Sequence, residues 1–212
     1  MAMPDGTVLI FSGLGLDCEL NPLVERYVPG EGLQLLPHVR EIPLYPRMHI
    51  LSDGRLAHVG PQSDTWTFDA ASGWSFETWN SFGGRWDGTS VLLPGETDRI
   101  MLIGGSTPLT NTCEIIDFGD ASPQWSYAAP MNIARAHHDA LLLPDQTVLV
   151  MGGGQDGLYS SPVNQPELYD PETDEWTLLP AHQHGRMYHA TTVLLPDGRV
   201  LVAGQDSGAS AY

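Results

Sequence analysis

The 212-residue chain contains no lysine, and all nine of its basic residues are arginine. Because 26 acidic residues oppose them, the formal net charge is -17 at pH 7. A surface this acidic repels phosphate groups, so nucleic acid and anionic membranes are excluded as expected partners. No apolar run approaches the about 20 residues of a membrane-spanning helix either.

Other absences narrow the function. The two cysteines, Cys18 and Cys113, are too few for a disulfide framework and lack the spacing of a metal site, although a single bridge between them stays open. The chain has no Gly-x-Ser-x-Gly elbow, phosphate-binding loop or Cys-x-x-Cys pair, which leaves hydrolase and nucleotide-binding functions without support. Residues 1–6 do not have the layout of a signal peptide, so the sequence assigns no compartment.

A strand-turn-strand pattern recurs along the chain. Its clearest copy has apolar runs at residues 192–195 and 199–203, separated by the turn Pro196-Asp197-Gly198. In such a turn proline presets one backbone angle and glycine supplies a permissive one. Helical periodicity does not persist beyond one turn, and the 17 prolines and 23 glycines fall mostly between the strand candidates. The sequence therefore predicts an all-β protein.

The second strand of each copy ends at a glycine, and these glycines are regularly spaced. The intervals between them are 47, 44, 48 and 52 residues, close to the about 40–50 residues of a four-stranded propeller blade. A tryptophan recurs after a later turn in three units, where we expect it to pack between adjacent blades. We therefore predict a single domain over residues 1–212, a kelch-type β-propeller with about four complete repeat units. The repeat glycines are Gly13, Gly60, Gly104, Gly152 and Gly204, and the tryptophans are Trp74, Trp125 and Trp176.

Both ends of the chain fall inside a unit. Residue 1 lies just before the first hairpin turn, and Tyr212 is eight residues past the glycine of the fifth unit. Since propellers close with about four to eight blades, we expect a partial ring. Its exposed sheet edges would need further blades, or a second chain, for stability.

Aligning the units on their turns puts four residues at one equivalent position, seven residues before the turn: Tyr45, Asp87, His137 and His189. In a propeller these strand ends surround the central channel, so we predict that they line it. Tyr188 precedes His189, and a phenolate oxygen beside an imidazole nitrogen suits Cu(II). Adjacent side chains of an ideal strand point to opposite sides, so both can reach one ion only if the strand end bends. A structural role for the pair stays open, as does a hydrogen-bonding role for His137.

Residues 185–204 contain the run Arg186-Met187-Tyr188-His189. They resemble the signature strand pair of the galactose oxidase and glyoxal oxidase family of copper radical oxidases, which are kelch propellers. Residues 44–54 resemble another segment of the glyoxal oxidase branch, and residues 3–13 are similar to the tail of an earlier hairpin of the family. The resemblance thus spans most of the chain.

The resemblance implies a copper ion held by two tyrosines and two histidines. One tyrosine is cross-linked to a cysteine and forms a radical that oxidises an alcohol or aldehyde while O2 becomes hydrogen peroxide. By motif, Tyr188 resembles the axial tyrosine, a catalytic residue, and His189 resembles the first histidine ligand. The cross-linked tyrosine is expected before residue 3, its cysteine further upstream, and the second histidine beyond Tyr212. Cys18 follows the expected tyrosine and is not assigned to the cross-link.

We therefore expect a segment of a copper radical oxidase-like protein that is inactive by itself, because part of the implied ligand set falls outside it. Its partner would be a small aldehyde, alcohol or carbohydrate, and the resemblance implies a secreted protein. The alternative is a non-catalytic kelch propeller that binds a carbohydrate or a protein through its channel face or its loops. A cysteine and a tyrosine upstream, with a histidine downstream, would favour the oxidase.

Overall fold

The computed structural model describes residues 1–157 and 160–204, which form strands and turns without a helix. None of their elements is a helix that could cross a membrane. The strands are β1 Val8–Ile10, β2 Leu23–Val28, β3 Gly32–Val39, β4 Met48–Ile50, β5 Leu56–His58, β6 Asp64–Asp69, β7 Gly73–Trp79, β8 Thr89–Leu92, β9 Arg99–Gly105, β10 Thr110–Asp117, β11 Ser126–Ala128, β12 Ala136–Leu142, β13 Val148–Asp156, β14 Ser160–Pro162, β15 Glu167–Asp170, β16 Glu175–Leu178, β17 Ala190–Leu194 and β18 Val200–Gly204.

The hairpin turns form as the sequence predicts. In four of them the aspartate carboxylate accepts a hydrogen bond from the backbone N–H two residues later, at 2.9 to 3.1 Å. This side-chain bond closes the turn locally and fixes the register of the two strands that flank it. The four residues are Asp5, Asp53, Asp145 and Asp197.

The chain divides into two compact units, unit 1 at Met1–Trp79 and unit 2 at Asn80–Tyr212. Unit 1 contains a three-stranded sheet in the order β1-β2-β3 and a four-stranded sheet in the order β4-β5-β6-β7. All their neighbouring strands are antiparallel. Leu9 and Val24 of the first sheet pack with Leu56 and Phe68 of the second, and Trp74 lies against this cluster. The single domain over residues 1–212 stays a prediction.

Unit 2 contains two larger sheets and a hairpin. Their orders are β8-β9-β10-β11, β12-β13-β15-β16 with β14 paired to β13, and β17-β18. The first two sheets share an apolar core that includes Met101, Ile103, Val148 and Val150. Trp176 packs against this core, and its Nε1 donates to the carbonyl oxygen of Ala129 at 2.8 Å. This contact is the packing between blades that the recurring tryptophan predicts.

Two buried ion pairs repeat in successive sheets of unit 2. Arg85 binds Glu114 at 2.8 Å and Arg135 binds Glu167 at 2.7 Å, and all four side chains are inaccessible to solvent or nearly so. Each arginine also donates to the carbonyl oxygen of a repeat glycine, Arg85 to Gly104 and Arg135 to Gly152. Because the charges are paired and hydrogen-bonded, they can stay buried. They attach the start of each sheet to its second and third strands.

The architecture confirms the predicted all-β fold of antiparallel sheets, two of which have four strands. The five repeat glycines share a backbone feature that explains their recurrence, since each has a positive φ, between 57° and 133°. That region is accessible to glycine at little cost and is strained for other residues. The repeat keeps glycine within three residues of the end of the second strand in four of the units, whereas β13 continues past Gly152 to Asp156.

Candidate functional site

The four positions that align in sequence share one backbone conformation. Tyr45, Asp87, His137 and His189 have φ values of 58°, 56°, 57° and 61°. Positive φ is uncommon for residues other than glycine, and such strained residues are found preferentially at functional sites. The chain thus makes the same left-handed step at or just before the start of the first strand in each of these repeats.

The left-handed step brings Tyr188 and His189 together. Their ring centroids are 3.8 Å apart and their planes differ by 27°, so the rings are stacked. Neighbouring side chains in a regular strand would point to opposite sides. The positive φ of His189 removes that alternation and leaves both rings on one side of the chain, which is the bend that shared metal ligation requires. Tyr188 is partly buried and His189 is exposed.

The backbone before Tyr188 is held by the preceding sheet. The N–H of Gly153 donates to the carbonyl oxygen of Arg186 at 2.7 Å, and a Cβ on Gly152 would overlap that same oxygen. The Arg186 side chain donates from Nη1 to the carbonyl oxygen of Gly204 at 3.0 Å. The predicted role of Gly152 and Gly153, close approach of two strands, is confirmed by these contacts.

The same arrangement occurs one repeat earlier. There the N–H of Gly105 donates to the carbonyl oxygen of Arg135 at 3.1 Å, and a Cβ on Gly104 would lie 2.8 Å from that oxygen. Each glycine pair therefore positions the segment that leads into the next left-handed residue. The placement of Tyr188 is a property of the repeat and needs no special local sequence.

His137 connects Asp87 with Tyr188 in unit 2. Its Nε2 lies 3.8 Å from Oδ2 of Asp87, and its ring meets the Tyr188 ring edge to face, with centroids 5.2 Å apart. Asp87 Oδ2 also accepts a hydrogen bond from Ser106 Oγ at 2.6 Å. The structure thus places Asp87, His137, Tyr188 and His189 in one continuous row. Tyr45 belongs to unit 1, where its side chain is 72% exposed.

A cavity of about 330 Å³ adjoins the Asp87 and His137 end of this row. Its lining includes Ser106, Thr107 and Gln155, which sequence reasoning missed. Ser106 directly follows the glycine pair Gly104-Gly105, and that position is the one signal that could have identified it. The cavity offers hydroxyl, carboxylate, imidazole and amide groups to a small polar molecule.

Two donors on one side of the chain, the Tyr188 phenol oxygen and a His189 ring nitrogen, fit a Cu(II) ion, which takes nitrogen and oxygen ligands. Residues 1–157 and 160–204 contain no group of three or more His, Cys, Asp or Glu side chains that could hold a metal. Both cysteines are free thiols. Cys113 is fully buried, and its burial raises the pKa of its thiol to about 12.

Comparison with known proteins identifies relatives of this chain. The family described as glyoxal oxidase N-terminus matches residues 103–212. An aldehyde oxidase of Vitis pseudoreticulata, GLOX, is 30% identical over an alignment of 239 positions that covers 96% of this chain and 44% of the relative. Galactose oxidase of Gibberella zeae is 33% identical over 128 residues, which cover 55% of this chain and 19% of the relative.

A solved structure supports the fold. A fungal alcohol oxidase of the AA5 family, in complex with copper, matches with a TM-score of 0.81 at 20% identity, covering 94% of this chain and 46% of the other. The chain therefore has the β-propeller fold of the galactose oxidase type, and it spans less than half the length of these relatives. The family match covers more than half of the chain and includes the whole row from His137 to His189, so the chain belongs to the glyoxal oxidase N-terminus family.

Proposed function

We propose that this chain is the part of a copper-dependent oxidase that supplies Tyr188 and His189 to the metal. The observation that carries the proposal is the stacked pair itself, with both rings on one side of a left-handed residue. An arbitrary Tyr-His dipeptide in a strand would separate its two donors. Here the backbone brings them together at the point where the family resemblance expects two copper ligands.

The reaction would oxidise a small primary alcohol to an aldehyde, or a hydrated aldehyde to an acid, while O2 takes up two electrons and two protons and becomes hydrogen peroxide. Bound copper would supply one of the two one-electron steps, and the cross-linked tyrosine that the family resemblance implies would supply the other. Tyr188 would accept the proton of the substrate hydroxyl as a general base. His189 would hold the metal through a neutral ring nitrogen.

The cavity beside Asp87 supports a polar substrate for this reaction. The Asp87 carboxylate and the Ser106 hydroxyl are hydrogen-bonded to each other, and His137 stands between them and Tyr188. A substrate hydroxyl can both donate to the carboxylate and accept from the imidazole. We propose that Asp87 and His137 orient the substrate; a channel-lining role for Tyr45 stays a prediction.

By itself the chain would bind copper weakly and would not turn over, because two protein ligands are fewer than a stable copper site needs. Further blades would complete the propeller and the ligand set. As in the family it resembles, we propose that the parent protein acts outside the cell.

We propose as the second function a non-catalytic propeller that binds a carbohydrate or a protein. Under this function Tyr188 and His189 would be ordinary channel residues.

Peroxide formation separates the two functions. The copper-loaded parent protein is given a panel of small aldehydes and primary alcohols, and hydrogen peroxide is measured for the unaltered protein and for Tyr188→Phe. The oxidase proposal expects turnover that falls by about 100-fold or more in the variant, the contribution of a general base. Absence of turnover with every substrate would support the binding module.

A further inference from the structure

A second groove lies at the opposite end of the blades from the Tyr188 and His189 pair. It has a volume of about 320 Å³ and is lined by residues of both large sheets of unit 2. Arg99, which begins β9, lines it, whereas Ser106 at the other end of β9 contacts Asp87. A strand of seven residues spans about 20 Å, so the groove is separate from the candidate copper site. The groove residues used below are Arg99, Asp117, Asp120, Tyr127, Tyr169 and Asp174.

Arg99 is the first feature that indicates a ligand. All nine arginines lie within the described residues. Seven of them have a side-chain hydrogen bond or ion pair and Arg47 has an interaction of its own, whereas the Arg99 guanidinium makes no hydrogen bond or ion pair with another described residue. In a chain with 26 acidic residues, a guanidinium without a hydrogen-bonding partner is unexpected. Its five N–H donors remain available to a molecule in the groove.

Acceptors face the same space. Both recorded hydrogen bonds of the Asp174 carboxylate, from Tyr169 Oη and from the Ala129 N–H, go to Oδ1, which leaves Oδ2 for a ligand. Asp120 is exposed and has no side-chain hydrogen bond to another described residue. The ligand must therefore accept hydrogen bonds from a guanidinium and donate them to carboxylates.

Charge and shape narrow the ligand class. Three carboxylates, those of Asp117, Asp120 and Asp174, face one guanidinium in the lining, so an anion would be repelled. A bound cation is disfavoured because the carboxylates of the described residues do not converge in a group that could hold a metal. Tyr127 lines the groove with 58% of its surface exposed, an aromatic face available for stacking against an apolar surface.

We propose that this groove, at the turn end of β9, binds an uncharged saccharide. Sugar hydroxyls both donate and accept hydrogen bonds, so they satisfy Asp174, Asp120 and Arg99 together. The C–H face of a sugar ring packs on Tyr127. Tyr169, held by Asp174, closes the floor of the groove. This site needs no copper and does not depend on the proposed oxidase function.

Saturation-transfer NMR on the metal-free chain tests the proposal, with maltose and cellobiose as probes at millimolar concentration. We expect saturation transfer to ring protons of at least one disaccharide, and a fall of about fivefold or more in Tyr127→Ala and in Arg99→Ala. Tyr127→Phe keeps the stacking face and should keep the signal. Tyr27→Ala, which removes an exposed tyrosine of unit 1, is the matched control and should leave the signal unchanged.

Three results would overturn the proposal. One is the absence of transfer to both disaccharides, and the second is equal transfer in Tyr127→Ala and in the unaltered chain. The third is stronger transfer to glucuronate than to glucose, two further probes measured under the same conditions, which would mean that the groove selects an anion. Circular dichroism of each variant identifies any loss of signal that comes from unfolding, and Arg99→Ala then decides the matter if Tyr127→Ala does not fold.

Discussion

The backbone N–H of His137 donates to the carbonyl oxygen of Asp87 at 2.6 Å. These two residues occupy the same position in successive sequence repeats, and both have positive φ. The left-handed residue of one repeat is therefore hydrogen-bonded directly to that of the next. This bond places the side chains of Asp87 and His137, from consecutive sheets, next to each other in the row that ends at Tyr188 and His189.

The first prediction concerns the contact that holds the segment before Tyr188. Gly152→Ala should lower the free energy of unfolding by about 2–4 kcal/mol, because it adds positive-φ strain and an overlap with the Arg186 carbonyl oxygen. Gly198→Ala is the matched control, since Gly198 also has positive φ but no atom lies near its added Cβ. That variant should cost only about 1 kcal/mol. Equal losses of unfolding free energy in the two variants, measured by urea unfolding, would mean that the close contact at Gly152 does not contribute to stability.

The second prediction concerns the buried ion pairs. Glu167→Gln leaves the inaccessible Arg135 guanidinium without a counter-charge, so it should cost about 3–5 kcal/mol. Arg199→Ala breaks an ion pair whose arginine is 79% exposed, and it should cost less than about 1 kcal/mol. Chemical denaturation measures the stability loss of each variant. Equal losses in Glu167→Gln and Arg199→Ala would contradict the assignment of the buried pair as a fixed element of the repeat.

The third prediction concerns packing between blades. Trp125→Ala and Trp176→Ala should each cost about 3–5 kcal/mol through lost packing. Trp125 is buried, and Trp176 packs on the core of unit 2 and donates to Ala129. Trp79→Ala is the control because Trp79 is 61% exposed, and it should change stability little. Thermal or urea unfolding that gives near-zero effects at Trp125 and Trp176 would remove the packing role.

The fourth prediction concerns pH. Burial lowers the pKa of His49 and of His58 to about 4, below the value near 6.5 of an unfolded chain. Between these two pH values the unfolded chain binds more protons, so stability is complete above about pH 6.5 and is lost as the pH falls toward 4. The free energy of unfolding should be lower at pH 5 than at pH 7, and this difference should be smaller in His58→Leu. The control His184→Gln, at an exposed position, should leave the difference unchanged. A pH dependence in His58→Leu equal to that of the unaltered chain would contradict the prediction.

Periodic features of the chain were accessible from sequence. Spacing alone predicts the turn aspartates and the repeat glycines, because each repeat needs the same backbone conformation at the same place. It also predicts the equivalence of Tyr45, Asp87, His137 and His189. For Tyr188 and His189 the sequence predicted only that both side chains can reach one ion if the strand end bends. Their stacking depends on the φ of His189, which the sequence does not give. Alternation along a strand cannot reveal such a local inversion.

Long-range pairings were not accessible. Arg85 and Glu114 are 29 residues apart and Arg135 and Glu167 are 32 apart, so no fixed interval connects the two buried pairs. Strand β14 and its pairing with β13 were likewise missed, because residues 160–162 carry no apolar alternation. The groove around Arg99 depends on a guanidinium being left unpaired, and only the structure of the surrounding sheets can show that.

Electron paramagnetic resonance of Cu(II) added to the purified chain tests the central claim, that Tyr188 and His189 together hold copper. The account predicts a signal with nitrogen coupling that weakens in His189→Ala and stays the same in His184→Ala, which alters an exposed histidine nearby. Tyr188→Phe should also change the spectrum, since it removes the oxygen ligand. A spectrum that is identical in the unaltered chain, in His189→Ala and in Tyr188→Phe would contradict the account and leave the pair as channel residues without a metal.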